Sequence, residues 1–138
     1  AELNKQIEEG KRERIRSIVE SIEPTLTEED GIVLIARQAD FLPDIVKGIA
    51  FGLKPKFPNL VFVIGSAVGG KPALTVMLGD EIVSRGVDAS KVVREAAKEI
   101  SGGGGGQPFY ATAGGKDVAG IEKAIFRAVE LIKTQLKR

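Results

Sequence analysis

The sequence predicts an α/β domain: a small mixed sheet packed with helices, a glycine-rich loop before a terminal helix, and an N-terminal helical arm. Unbroken apolar runs at Ile32–Ala36 and Leu60–Ile64 have the length and β-branched content of strands buried on both faces. Segments with apolar residues at helical spacing alternate with those runs, the order expected where helices cover a sheet. No repeat of solenoid length is present. The chain divides at Pro24, with residues 1–24 as the arm and 25–138 as the body.

Residues 3–22 carry Leu3, Ile7, Ile15, Ile18, Val19 and Ile22 at helical spacing, with Glu8/Arg12 and Arg16/Glu20 able to pair four residues apart. Gly10 and Lys11 interrupt the stripe, and Pro24 ends it by pushing the preceding residue out of helical geometry. After a turn over Thr25–Asp30, Gly31–Gln38 reads as a strand. Leu42–Leu53 reads as a helix with Pro43 in its first turn. Pro55 and Pro58 bracket a loop, and Leu60–Ile64 and Ala73–Leu78 read as two further strands. Asp80–Arg85 is a helical turn closed by Gly86. Asp88 or Ser90 can cap the next helix, which runs to about Ile100 with Val92, Val93, Ala96, Ala97 and Ile100 on its inner face. The last helix follows Asp117, a second candidate cap, through Val118, Ile121, Ile125, Ala128, Val129, Ile132 and Leu136.

Composition narrows the function. The 138 residues include no Cys and no His, which removes disulfides, thiolate nucleophiles, imidazole bases and the usual zinc ligands. That weighs against an independent enzyme. The apolar runs are far shorter than the roughly 20 residues of a membrane-spanning helix, and no secretory signal pattern stands at the start. Net charge is +1, but residues 1–30 hold 5 basic and 9 acidic side chains, so a mildly acidic arm precedes a mildly basic body. A basic body can attract a polyanion.

Two motifs carry chemistry. Gly65-Ser66-Ala67-Val68-Gly69-Gly70-Lys71 matches most of a phosphate-binding G-x-x-x-x-G-K-[ST] loop. Pro72 breaks the match, since it supplies neither the magnesium-holding hydroxyl nor a backbone N–H, and a strand follows where a helix is needed. A glycine turn between two strands is the simpler account, with Lys71 left exposed near its tip. The second motif is Gly102–Gly106, five consecutive glycines interior to the fold, which allow close approach of backbone or ligand and can form an anion-binding nest. Gln107, Pro108, Phe109 and Tyr110 follow, placing two aromatics where one can stack on a base or pack beneath the loop.

The stretch Val92-Val93-Arg94-Glu95-Ala96-Ala97-Lys98, the glycine run, Gln107-Pro108 and Ala111-Thr112-Ala113-Gly114-Gly115-Lys116 together resemble the C-terminal domain of alanyl-tRNA synthetase, a member of the DHH-associated superfamily. The resemblance covers about residues 31–136. It implies a non-catalytic module that contacts the outer corner of tRNA, expected to be alanine-specific. That module supports the parent ligase's ATP-dependent attachment of alanine and its editing, and it works in the cytoplasm. It also implies self-association and contact with upstream domains, with ATP, magnesium and zinc belonging to those other domains and no cofactor here. The candidate RNA-facing residues are Lys71, Arg94, Lys98, Gly102, Gly103, Gly104, Gly105, Gly106, Gln107, Phe109, Tyr110, Gly114, Gly115, Lys116 and Lys123. The candidate self-association residues are Leu3, Ile7, Ile18 and Ile22. Synthetases of this family commonly carry Arg at the Gln107 position, which removes a charge-based contact there. A mainly scaffolding or dimerising role is the alternative. The phosphodiesterase branch is disfavoured, because Gln107 stands where that branch carries His.

Overall fold

A computed structural model describes residues 2–136, with side chains described from residue 9 to residue 136. The arm is one helix, α1 (Glu2–Ile22), followed by a tight 3-10 turn at Glu23–Thr25. The body is a six-stranded sheet flanked by helices. In chain order it runs β1 (Glu28–Glu29), β2 (Ile32–Gln38), α2 (Pro43–Leu53), β3 (Leu60–Val68), β4 (Lys71–Leu78), α3 (Asp80–Ser84), α4 (Ala89–Ala96), β5 (Gly103–Gly106), β6 (Tyr110–Gly114) and α5 (Ile121–Leu136). The spatial order of strands is β1-β2-β3-β4-β6-β5. Only the β2–β3 pairing is parallel, and α2 makes the crossover that a parallel pair requires. The expected mixed sheet with helical cover is therefore what forms.

The unbroken apolar runs have a direct cause, because β2 and β3 are buried on both sides. On one face Val61, Val63, Leu74, Val76, Ala111 and Ala113 meet α4 and α5 through Val92, Val93, Ala96, Ala128 and Ile132. On the other, Val33, Ile35, Leu60, Phe62, Ile64 and Met77 meet α2 through Ile45, Val46, Ile49, Ala50 and Leu53. Alternate residues of one strand thus enter different cores, and both sets must be apolar.

The arm lies on α2. Gly48 and Gly52, one turn apart, leave a groove in which Ile15 and Val19 sit, so close that a Cβ at Gly52 would stand 3.0 Å from Val19 Cγ2. Lys11 pairs with Asp44 at the start of α2, and Lys56 with Glu23 at 2.7 Å where the arm ends. Ile18 and Ile22, expected to serve self-association, are half-buried against the chain's own second core. Leu3 and Ile7 fall outside the residues whose side chains are described.

Three local features differ from the sequence reading. The 25–30 turn contains a two-residue strand, β1, joined to β2 through Asp30 and Gly31 at φ 54° and 79°. The helix expected to reach Ile100 ends at Ala96 and tightens into a 3-10 turn over Ala97–Ile100, while Asp88 provides the cap, accepting from Ser90 N–H at 2.9 Å. The polyglycine segment is not a loop. It is β5, the edge strand of the sheet, and the aromatic segment after it supplies β6.

Candidate nucleic-acid interface

The glycine strand exists because it lies against β6 more closely than side chains permit. A Cβ at Gly102 would stand 1.9 Å from Gly114 O, one at Gly104 2.1 Å from Thr112 O, and one at Gly106 2.6 Å from Tyr110 O. Those three glycines are required by backbone-to-backbone contact. Gly103 and Gly105 are different. Nothing lies within 4 Å of a Cβ at Gly103, and at Gly105 the nearest atoms are Arg94 Nε, Arg94 Nη2 and Ser90 Oγ, all at 3.7 Å. Packing does not demand glycine at these two positions, and at Gly103 the exposed strand presents a backbone that no side chain covers.

Charged and aromatic groups are distributed along that edge. Gly115 N–H donates to Pro72 O at 3.1 Å, which brings the exposed Lys71 and Lys116 to the same end of β4 and β6. The guanidinium of Arg94 borders the strand at Gly105, and Lys98 follows one turn later, paired with Glu95 at 3.2 Å. At the opposite end Gln107 and Tyr110 close the β5–β6 hairpin, Gln107 N–H donating to Tyr110 O at 2.7 Å around Pro108 and Phe109. Lys123 lies elsewhere, on α5, in a shallow groove shared with Glu99, Glu122 and Glu130. The Gly69-Gly70 motif is a hairpin tip, with φ of 64° and 75° at its two residues and antiparallel strands on either side.

Phe109 and Tyr110 are both half-buried. They meet a third ring that sequence reasoning did not single out, Phe51 of α2, which is 40% exposed. Phe51 lies 5.2 Å from Tyr110 in a tilted arrangement and 6.4 Å from Phe109 edge-on. Lys54 Nζ stands 5.1 Å over the Phe109 ring and Lys47 Nζ 6.0 Å over Phe51. Burial raises the Tyr110 hydroxyl above its ordinary pKa, so it stays protonated as a neutral donor at physiological pH. A signal for Phe51 was present, since it is an aromatic outside the Ile45–Ile49–Leu53 stripe with Lys47 four residues before it. Tyr110, Thr112 and Gly114 share one side of β6, and Thr112 is exposed there opposite Thr75. The site is a side-chain-free edge with cations beside it and an aromatic cluster at one end. Among the described residues, no group of three His, Cys, Asp or Glu could hold a metal ion.

The DHHA1 domain model matches residues 30–138. The chain belongs to the DHHA1 domain family. This DHHA1 chain is similar to an alanine–tRNA ligase of Bacteroides thetaiotaomicron, 46% identical over 132 residues, with 95% of the chain and 15% of that protein covered. A ligase of the same name from Cytophaga hutchinsonii is 42% identical over 134 residues, with the same coverage. The chain therefore spans about 15% of the length of these curated relatives. Among solved structures it is similar to the C-Ala domain of Aquifex aeolicus alanyl-tRNA synthetase, at TM-score 0.64 and 28% identity, covering 82% of this chain and 98% of that one. In this DHHA1 domain the polyglycine motif is thus a strand edge, continuous with the aromatic hairpin turn.

Proposed function

We propose that this DHHA1 chain is the tRNA-contacting module of an alanyl-tRNA synthetase. It meets the outer corner of alanine-specific tRNA, and it assists charging and editing that take place in other domains. It carries no catalytic step of its own and works in the cytoplasm. The observation that carries the reading is the glycine edge strand. Gly103 is open, Gly105 lies under the Arg94 guanidinium, Lys71 and Lys116 stand at the end of the sheet, and the Phe51 and Tyr110 rings meet beside its hairpin turn. A bare strand edge admits a sugar-phosphate backbone, cations neutralise phosphates, and aromatic rings receive unpaired or terminal bases. Among the described residues no helix is long and apolar enough to cross a membrane.

The test is a titration of the chain into labelled alanine-specific tRNA at low and at physiological salt. Binding is expected to weaken with salt and to fall further in Lys116→Ala and Tyr110→Ala. No binding at low salt with the chain near millimolar, or binding untouched by those variants and by Arg94→Ala, overturns this assignment of the surface.

A further inference from the structure

The glycine strand is one edge of the sheet. At the other edge β1 covers β2 only at Ile32 and Val33. Val33 N–H donates to Asn59 O at 3.0 Å and Ala39 N–H to Gly65 O at 2.9 Å, so the odd-numbered residues of β2 turn their backbone groups toward β3. Ala36 and Gln38 therefore turn theirs outward. No strand pairs with them on that side, and both residues are exposed. Outward N–H and C=O groups on an extended chain are a template for another extended peptide, whose backbone repeats donors and acceptors at the same spacing.

The side chains on either side of this edge define which peptide it fits. Toward α5, Ala36 and Gln38 line a shallow groove with Ile125, Phe126 and Val129, and Glu122 stands at the same groove. Phe126 is 70% exposed, and the core gives no reason for phenylalanine there, because α5 is buried through Ile121, Ala124, Ile125, Ala128 and Ile132. On the opposite face of β2, Arg37 lies with Ile22 and Phe41, and the Arg14 guanidinium is 5.9 Å over the Phe41 ring. Among the described residues Arg37 makes no ion pair. Asp40, the nearest acid along the chain, is held by Gln38 and by Ala67 N–H instead. Successive residues of an added strand meet opposite faces. We propose that the β2 edge from Leu34 to Gln38 takes up an extended segment of another protein as an added strand, with apolar residues against Phe126 and Val129 alternating with an acidic residue toward Arg37. Glu122 sets the order, since it repels an acid on the α5 side. The edge is separate from the RNA face, because β2 and β5 lie toward opposite sides of the sheet.

A phage-displayed library of random short peptides, selected on the chain, tests this. Sequences that alternate apolar and acidic residues should be enriched, and a selected peptide should slow amide exchange at Ala36 and Gln38. Ala36→Pro removes the outward donor at an edge position where proline is tolerated, and should weaken that peptide about tenfold or more. Arg37→Glu, an exposed change outside either core, keeps the test open if the proline variant fails to fold. It should weaken the peptide about twofold to fivefold at low salt and turn the selection toward basic residues. A library that enriches nothing overturns the proposal, as do peptides that bind without protecting Ala36 and Gln38 or are indifferent to both variants. Protection of those amides by raising the chain's own concentration would give the edge to a second copy, and protection by tRNA would give it to RNA. Either result overturns the peptide assignment.

Discussion

Phe51 and Tyr110 reach a ring-centroid separation of 5.2 Å although one sits in the crossover helix and the other begins β6, the last strand in the chain. The contact forms because β6 pairs with β4 at Met77↔Tyr110, and Met77 belongs to the core that α2 covers. Tyr110 is thereby carried to the edge of α2, where Phe51 projects. Two half-exposed rings, with Lys47 over one of them, form an aromatic patch that neither residue forms alone.

Removing either ring should reduce RNA affinity about tenfold, the scale of one lost base–aromatic stack. Phe51→Ala and Tyr110→Ala are compared with wild type by fluorescence anisotropy on labelled tRNA, with far-UV circular dichroism to check folding. Since the rings act as a pair, the double variant should lose less than the sum of the two single losses. Full additivity would mean that they act separately.

The glycines of β5 should separate into two classes. Gly104→Ala places a methyl 2.1 Å from Thr112 O, a backbone atom that cannot move without parting the strands, and should cost about 1–3 kcal/mol or more in urea denaturation. Gly103→Ala has open space and should change stability by about 0.5 kcal/mol or less. If the edge meets an RNA backbone, Gly103→Ala should still weaken binding. Unchanged affinity in that variant would leave the glycine edge without a binding role.

Charge neutralisation should be graded by position. Arg94→Ala, Lys71→Ala and Lys116→Ala should each lower the slope of log affinity against log salt by about one. Lys123→Ala should change it least, because Glu99, Glu122 and Glu130 share the groove in which Lys123 stands. Equal losses at all four positions would point to diffuse attraction by the basic body instead of a face.

Acid should loosen the crossover helix and its flanks. Hydrogen bonds from the Gln38 side chain at 3.0 Å and Ala67 N–H at 2.9 Å hold the Asp40 carboxyl below its ordinary 3.8. Lys11 does the same for Asp44. Both groups bind protons less readily when folded, so their stabilisation is complete above 3.8 and is lost as pH falls through the lower folded values. Thermal melts at about pH 6 and about pH 3 should show a smaller acid-induced drop in Asp40→Asn than in wild type. Lys11→Ala should remove the Asp44 share alone.

The order and type of most elements could be read from the chain. Helical stripes over 3–22, 42–53 and 118–136, the doubly buried runs of β2 and β3, and the caps at Asp88 and Asp117 all follow from rules that act within a few residues. The glycine turn at Gly69-Gly70 is of the same kind. The polyglycine edge strand was not legible, because a strand without side chains has no hydrophobic period. It is specified by the partner it lies against, and Gly104 becomes obligatory only once Thr112 O occupies the space of its Cβ. Lys71 and Lys116 are brought to one end by strand register, and Phe51 is joined to Tyr110 by the packing of α2 over β4. Local sequence determined which elements form and the chemical types of residue available to them. Only the tertiary structure decided which of those residues stand together, since that depends on contacts between segments far apart in the chain.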